Sequence, residues 1–186
     1  MMPRPLRDPR PSPQTIGLKT ATFAALVGTV YVANWALDTF GVVPVGFGLT
    51  APAGVYFAGV AFGLRDALHE LGGVRWVIAA ILTGSLLSYA VSDGATVPGG
   101  MVSIAVASAV AFLLSETADL AVYSPLRERQ WTVAVVASNL VGAVVDSAVF
   151  LWLAFGSTEL LVGQIVGKAW VTAACLPLVW AARRHR

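Results

Sequence analysis

Cysteine is nearly absent: Cys175 stands alone, so neither an intrachain disulfide nor a multi-cysteine metal site can form. It lies in an apolar stretch, where a packing thiol is the simpler reading. Histidine is scarce too, with His69 near a segment boundary and His185 in the C-terminal tail. That leaves no Ser–His pair in the middle of any apolar segment and too few nitrogens for a metal centre. No Gly-Lys-Ser/Thr loop is present to cradle a nucleotide phosphate, so the chain is not itself an ATPase. The expectation is a non-enzyme without cofactors. Charge is the largest deficit. Charged residues make up 12% of the 186, against about a quarter in an ordinary soluble domain. Hydrophobic residues reach 57% and the mean hydropathy is +0.76, too little polar surface for a soluble particle. The net charge of +2 is small and unclustered, which argues against a nucleic-acid partner.

What is present is a series of long apolar runs. A helix needs roughly 20 apolar residues to cross a bilayer, and six segments qualify, near 17–37, 49–71, 74–92, 100–123, 131–155 and 158–182. Turn residues separate them: Gly41 with Pro44, Gly72-Gly73, Asp93-Gly94 with Pro98, Ser124-Pro125, and Gly156-Ser157. The expected fold is all-α, a polytopic membrane protein with six transmembrane helices. Residues 1–16 read as a flexible Pro/Arg-rich tail, 17–182 as the membrane domain and 183–186 as a basic tail. No cleavable signal peptide is evident.

Charge orients the bundle. Arg4, Arg7, Arg10, Lys19, Arg65, Arg75, Arg127, Arg129, Arg183, Arg184 and Arg186 all fall on one face, while the opposite loops carry Asp38, Asp93 and Glu159. The positive-inside rule makes the basic face, and with it both termini, cytoplasmic. This predicts a multi-pass protein of the cell membrane with lipid as its surroundings. Trp35, Trp76, Trp131 and Trp180 fall near segment ends, as aromatic belts do. A short echo links Val60-Ala61-Phe62-Gly63-Leu64-Arg65-Asp66 to Val110-Ala111-Phe112-Leu113-Leu114-Ser115-Glu116. A parallel hairpin repeat and chance likeness between apolar helices both explain it.

Ionisable groups within spans cost roughly 2.5–3.5 kcal/mol each on insertion scales, so each demands a compensating partner. Asp146 and Lys168 lie at matching depths, roughly 14 Å from the same end of adjacent antiparallel helices, and an ion pair is expected. It is either a structural clasp or part of a polar cavity. Asn139, Gly142, Asp146 and Phe150 share one helix face; Ser108, Phe112, Ser115 and Asp119 share another, with Glu116 beside it. Gln164, Lys168 and Cys175 cluster on the last helix, and Gly59, Gly63, Asp66 and Glu70 on the second. Converging, such stripes enclose a hydrated pocket for a small polar solute. Plainer readings stand beside each: Gly59 and Gly63 have the spacing of close helix packing, Ser115 can bond its own helix, and His69 and Glu70 can be solvated or pair with Arg65 or Arg75. A homodimer, with Gly59 and Gly63 at its contact, is left open.

The run Ile104-Ala105-Val106-Ala107-Ser108, continuing through Ala111-Phe112, Ser115-Glu116, Asp119 and Leu126-Arg127, resembles the queuosine-precursor transporters of the vitamin uptake transporter family. So does Ala137-Ser138-Asn139-Leu140-Val141-Gly142 with Asp146-Ser147, Phe150 and Ala154-Phe155. Lys168 with Leu176-Pro177, Asp66 with Gly72, and Asn34 fit the same pattern. The resemblance spans about Tyr31 to Trp180. It implies a six-helix importer of 7-cyano-7-deazaguanine or a related 7-deazapurine. It also implies a substrate site drawn from Asn34, Asp66, Ser108, Phe112, Glu116, Asp119, Asn139 and Gln164. In that site Glu116 or Asp119 would read the donor edge of the ligand and Phe112 would stack on it. Asn139 and Gln164 would assist, and Asp146 with Lys168 would hold the cavity together or couple it to an ion. The Pro/Arg-rich leader and His69-Glu70 have no counterpart in that pattern. Two other classes remain: a vitamin-binding membrane subunit working with a separate ATPase, and a non-transporting structural membrane protein.

Overall fold

The computed structural model describes residues 13–91, 96, 100–126 and 129–184. Of the tail expected at 1–16, residues 1–12 lie outside the described residues and 13–16 already belong to the first helix. Asp93, Gly94, Pro98 and Arg127 and the side chains of Cys175, Trp131 and Trp180 also lie outside the described residues. Six helices form: α1 (Pro13–Phe40), α2 (Val55–Gly72), α3 (Val74–Val91), α4 (Ile104–Leu126), α5 (Trp131–Phe155) and α6 (Leu161–Arg184). Pro13 opens α1, where its missing N–H breaks no helical bond. Ser103 caps α4, its hydroxyl accepting from the Val106 amide at 3.4 Å. Backbone bonds from Met101 and Val102 to the Leu153 carbonyl tie the approach to α4 onto the end of α5.

Other boundaries are corrected: α4 runs through the expected break at Ser124-Pro125 to Leu126. The second span was to begin at Leu49, but Val42–Gly46 (β1) and Leu49–Pro52 (β2) form an antiparallel hairpin, and α2 starts only at Val55. The reason is local. Gly46, Phe47 and Gly48 all take positive φ and turn the chain back within three residues. Pro52 removes a helical N–H, and the Val-rich stretch ahead supplies a strand partner. The hairpin runs along α6. Phe47 at its tip stacks on Trp170, ring centroids 6.0 Å apart, and Val45, Ala51 and Val55 form a small core beneath it. Gly163 permits this approach, because a Cβ there would stand 1.9 Å from the Thr50 carbonyl oxygen.

Packing inverts the usual soluble pattern. Leu86, Val136, Leu140, Trp152 and Val162 are more than half exposed, while Arg65, Glu116, Gln164 and Lys168 are 4% exposed or less. Such a surface belongs in lipid, where apolar side chains need no cover and charges do. Three helical stretches among the described residues are long and apolar enough to cross a membrane, Pro13–Phe40, Ile104–Tyr123 and Val136–Phe155. Val74–Ala90 and Leu161–Val171 are shorter apolar helices. The start of α1 meets the α2–α3 turn, with the Lys19 ammonium 4.2 Å from the Trp76 ring. An apolar core of Leu26, Ala61, Leu68, Val77, Ala80, Ile81 and Phe112 joins α1 through α4. Gly59 is engaged within the chain: a Cβ there would lie 2.6 Å from Val171 of α6.

Replacing Gly163 tests the hairpin contact. Gly163→Val should lower thermal stability in detergent by about 1–3 kcal/mol, because the Thr50 backbone cannot yield cheaply. Gly17→Ala, with nothing within 4 Å of its new Cβ, should be neutral or slightly stabilising.

Candidate functional site

The ion pair expected between the last two helices forms. Asp146 lies nine residues before the end of α5 and Lys168 seven after the start of α6, which brings them level across the seam. The Lys168 ammonium donates to the Asp146 carboxylate and, at 2.8 Å, to the Ser147 hydroxyl. Both acceptors sit one step apart on α5, so a single cation fastens that face of α5 to α6.

The pair stands on the wall of a cavity of about 80 Å³. All six helices reach it. Asn34 comes from α1, Phe62 from α2, Ser85 from α3, Ser108 and Phe112 from α4, Asp146 and Phe150 from α5, and Gln164 and Lys168 from α6. Small residues keep it open, among them Ala33, Ala58 and Ala61. Its flat element is aromatic: Phe62 stacks on Phe112 with centroids 6.5 Å apart and planes 25° apart. Its polar wall is partly organised. Ser108 donates to the Asn34 side-chain oxygen at 2.8 Å, and the Asn34 amide donates to Ser88 at 2.9 Å. Two further groups on the wall, the Ser85 hydroxyl and the Gln164 amide oxygen, are buried with no partner. A buried polar atom left unpaired costs about 1–3 kcal/mol. A ligand offering a donor to Gln164 and a bond to Ser85 would recover it.

A second polar cluster lies on the far side of the Phe62–Phe112 stack. Arg65 of α2 is buried, and its guanidinium forks to three partners. It donates to Asp66 at 2.6 and 2.9 Å, to Glu116 of α4 at 3.2 Å and to Asn139 of α5 at 3.0 Å. Asp119 and His69 lie within electrostatic reach of Glu116. One Asp119 carboxylate oxygen is buried without a partner, close to where a Cβ on Gly142 would stand. Phe62 touches both cationic centres, its ring 5.2 Å from the Arg65 guanidinium and 5.6 Å from the Lys168 ammonium.

The structure therefore divides the residues singled out in the sequence. Asn34, Ser108, Phe112, Gln164, Asp146 and Lys168 line the cavity. Asp66, Glu116 and Asn139 gather instead around Arg65, with Asp119 beside Glu116. The carboxylate that faces the cavity is Asp146. Ser115 takes the plainer of its two readings and bonds the Phe112 carbonyl of its own helix at 2.8 Å. Arg65 departs furthest from expectation: it read as a charge flanking the cytoplasmic turn, yet it is 3% exposed and points inward. The signal was there, since Arg65 falls three residues from both Phe62 and Leu68 and so on the buried stripe of α2. Phe62 and Ser85 were also missed, although Ile81, Ser85 and Ser88 follow one face of α3.

Removing one member of the ion pair leaves the other stranded. Asp146→Asn or Lys168→Met alone should destabilise the protein in detergent by about 3–5 kcal/mol, whereas an apolar replacement of both should cost much less. A double-mutant cycle on thermal stability measures the difference.

Comparison with known proteins gives a family match. Residues 52–182 fit the family described as "Putative vitamin uptake transporter", a stretch that begins in β2 and runs through all the helices except α1. No curated protein and no solved structure matches the chain. A membrane bundle with a polar, partly unsatisfied cavity at its centre agrees with that match, and the chain belongs to the vitamin uptake transporter family.

Proposed function

We propose that the chain is a six-span importer with both termini in the cytoplasm, carrying 7-cyano-7-deazaguanine or a related 7-deazapurine through the cavity. The observation that carries this is the pairing of a flat aromatic surface, Phe62 and Phe112, with two unpartnered buried groups, Gln164 and Ser85, on one cavity wall. A planar bicyclic ligand stacks on the rings. Its lactam and amine edge presents N–H donors beside a carbonyl acceptor, which suits the Gln164 amide, the Ser85 hydroxyl and the Asp146 carboxylate. The resemblance of the Ser108–Asp119 and Asn139–Phe150 stretches to queuosine-precursor transporters supports the same ligand. The distribution of Lys and Arg supports the orientation.

Uptake tests it. The chain is expressed in cells that cannot make 7-deazaguanines and lack their own importer, 7-cyano-7-deazaguanine is supplied, and queuosine in tRNA is assayed. Rescue is expected. Gln164→Leu should cut uptake roughly tenfold, the equivalent of one lost hydrogen bond in a buried site, with membrane insertion unchanged. Failure of a well-inserted parent chain to rescue would sink this ligand and leave a different solute, or a subunit requiring a separate ATPase, to be tried.

A further inference from the structure

The helices do not pack evenly around the cavity. α4 and α5 lie against each other along their length and form one hairpin. α1, α2, α3 and α6 form a second group, with α1 packed on α2 and α3, and α2 on α6. Close backbone approaches lock this second group. A Cβ on Gly54 would stand 2.5 Å from the Ala33 carbonyl, one on Gly59 2.6 Å from Val171, and one on Gly84 2.9 Å from Val30. Between the two groups the helix contacts are much thinner, at α3–α4 and α5–α6. Polar and aromatic side chains bridge that seam instead. Asn34 holds Ser108, Phe62 stacks on Phe112, Lys168 holds Asp146 and Ser147, and Arg65 holds Glu116 and Asn139. The cavity lies in the same seam, lined from both groups.

The two cationic bridges sit at different levels. Asn139 and Asp146 share a face of α5 seven residues apart, which is about 10 Å along the helix. Lys168 fastens the level of the cavity, towards the hairpin β1–β2. Arg65 fastens the level beyond the Phe62–Phe112 stack, towards the α2–α3 turn. A tightly packed group cannot deform continuously, but it can rock as a body about a thin contact.

Resting on the transport reading above, we propose that the α4–α5 hairpin rocks against the other four helices. In this scheme Lys168–Asp146 is the latch on the outer side of the cavity. Arg65–Glu116–Asn139, with the Phe62–Phe112 stack above it, is the latch on the cytoplasmic side. Opening one while the other stays closed exposes the cavity to one face of the membrane at a time. A planar solute between the rings would compete with the Phe62–Phe112 contact, and a polar one would compete for Lys168, so binding itself loosens the bridges. Arg65 is here a positioning residue that acts through α4 and α5 and not through the solute.

The test reads access and needs no substrate, so it stands or falls independently of which solute is carried. Ala58→Cys on the cavity wall, in a Cys175→Ser background, reports access to a membrane-impermeant maleimide in right-side-out and inside-out vesicles. Glu116→Gln and, as a variant that leaves every ion pair in place, Phe112→Leu should each raise labelling from the cytoplasmic side roughly fivefold or more, with the outer rate unchanged. Asp146→Asn should raise labelling from the outer side only. A reversed pattern would keep the two latches and overturn the assigned orientation. Equal increases from both sides in every variant, or no change in any variant that inserts normally, would overturn the proposal.

Discussion

Lipid cannot solvate a charge, and this chain places Arg65, Asp66, Glu116, Asp146 and Lys168 on helices that otherwise carry apolar side chains outward. Each cation must find its acceptors inside the protein. Lys168 can do so only if α6 lies against α5; Arg65, already held by Asp66 of its own helix, completes its set only if α2 faces both α4 and α5. Those two demands bring four of the six helices to a common centre. The attraction of a bare ion pair does not by itself stabilise a fold, since desolvation offsets most of it. It does penalise every arrangement in which the partners are apart, and that selects the arrangement.

Convergence of charged helices would ordinarily end in a filled core. Here it does not, because the residues facing inward at the level of Lys168 are small or thin: Ala33, Ala58, Ala61, Ser85 and Ser108. Bulk is concentrated in three phenylalanines, and two of them stack on each other at the boundary between the cavity and the Arg65 cluster. The hairpin β1–β2 adds material on the N-terminal half of α6, where Gly163 and Gly167 let backbone and valine side chains come close. The Tyr56 hydroxyl supports the hairpin by donating to the Pro44 carbonyl at 2.8 Å.

A site built this way has two properties that suit a carrier. Its polar groups are incompletely matched, so a solute gains hydrogen bonds without displacing strong ones at Gln164 and Ser85. Its walls belong to two separately packed groups of helices, joined by bridges of two or three side chains each. In the proposed mechanism, affinity and motion would therefore draw on the same few residues.

The membrane class, the six helices, the breaks at Gly41, Gly72-Gly73 and Gly156-Ser157, and the level pairing of Asp146 with Lys168 were all legible in the sequence. Hydropathy, turn residues and rise per residue are properties of a single segment or of two neighbours joined by a short loop. The hairpin in place of the first turns of α2 had a local signal in Gly46-Phe47-Gly48, but its apolar residues satisfy the hydropathy of a span equally well, and the glycine that lets it pack, Gly163, comes from α6. The role of Arg65 was not legible. Its place on the stripe of Phe62 and Leu68 signals burial, but its partners, Glu116 and Asn139, lie 51 and 74 residues away and only the tertiary structure brings them to it. The split of the polar residues into a cavity and a separate Arg65 cluster was likewise decided in three dimensions. Periodicity tells which residues share a face of one helix, but how far each face stands from its neighbours depends on side-chain volumes summed over the whole bundle.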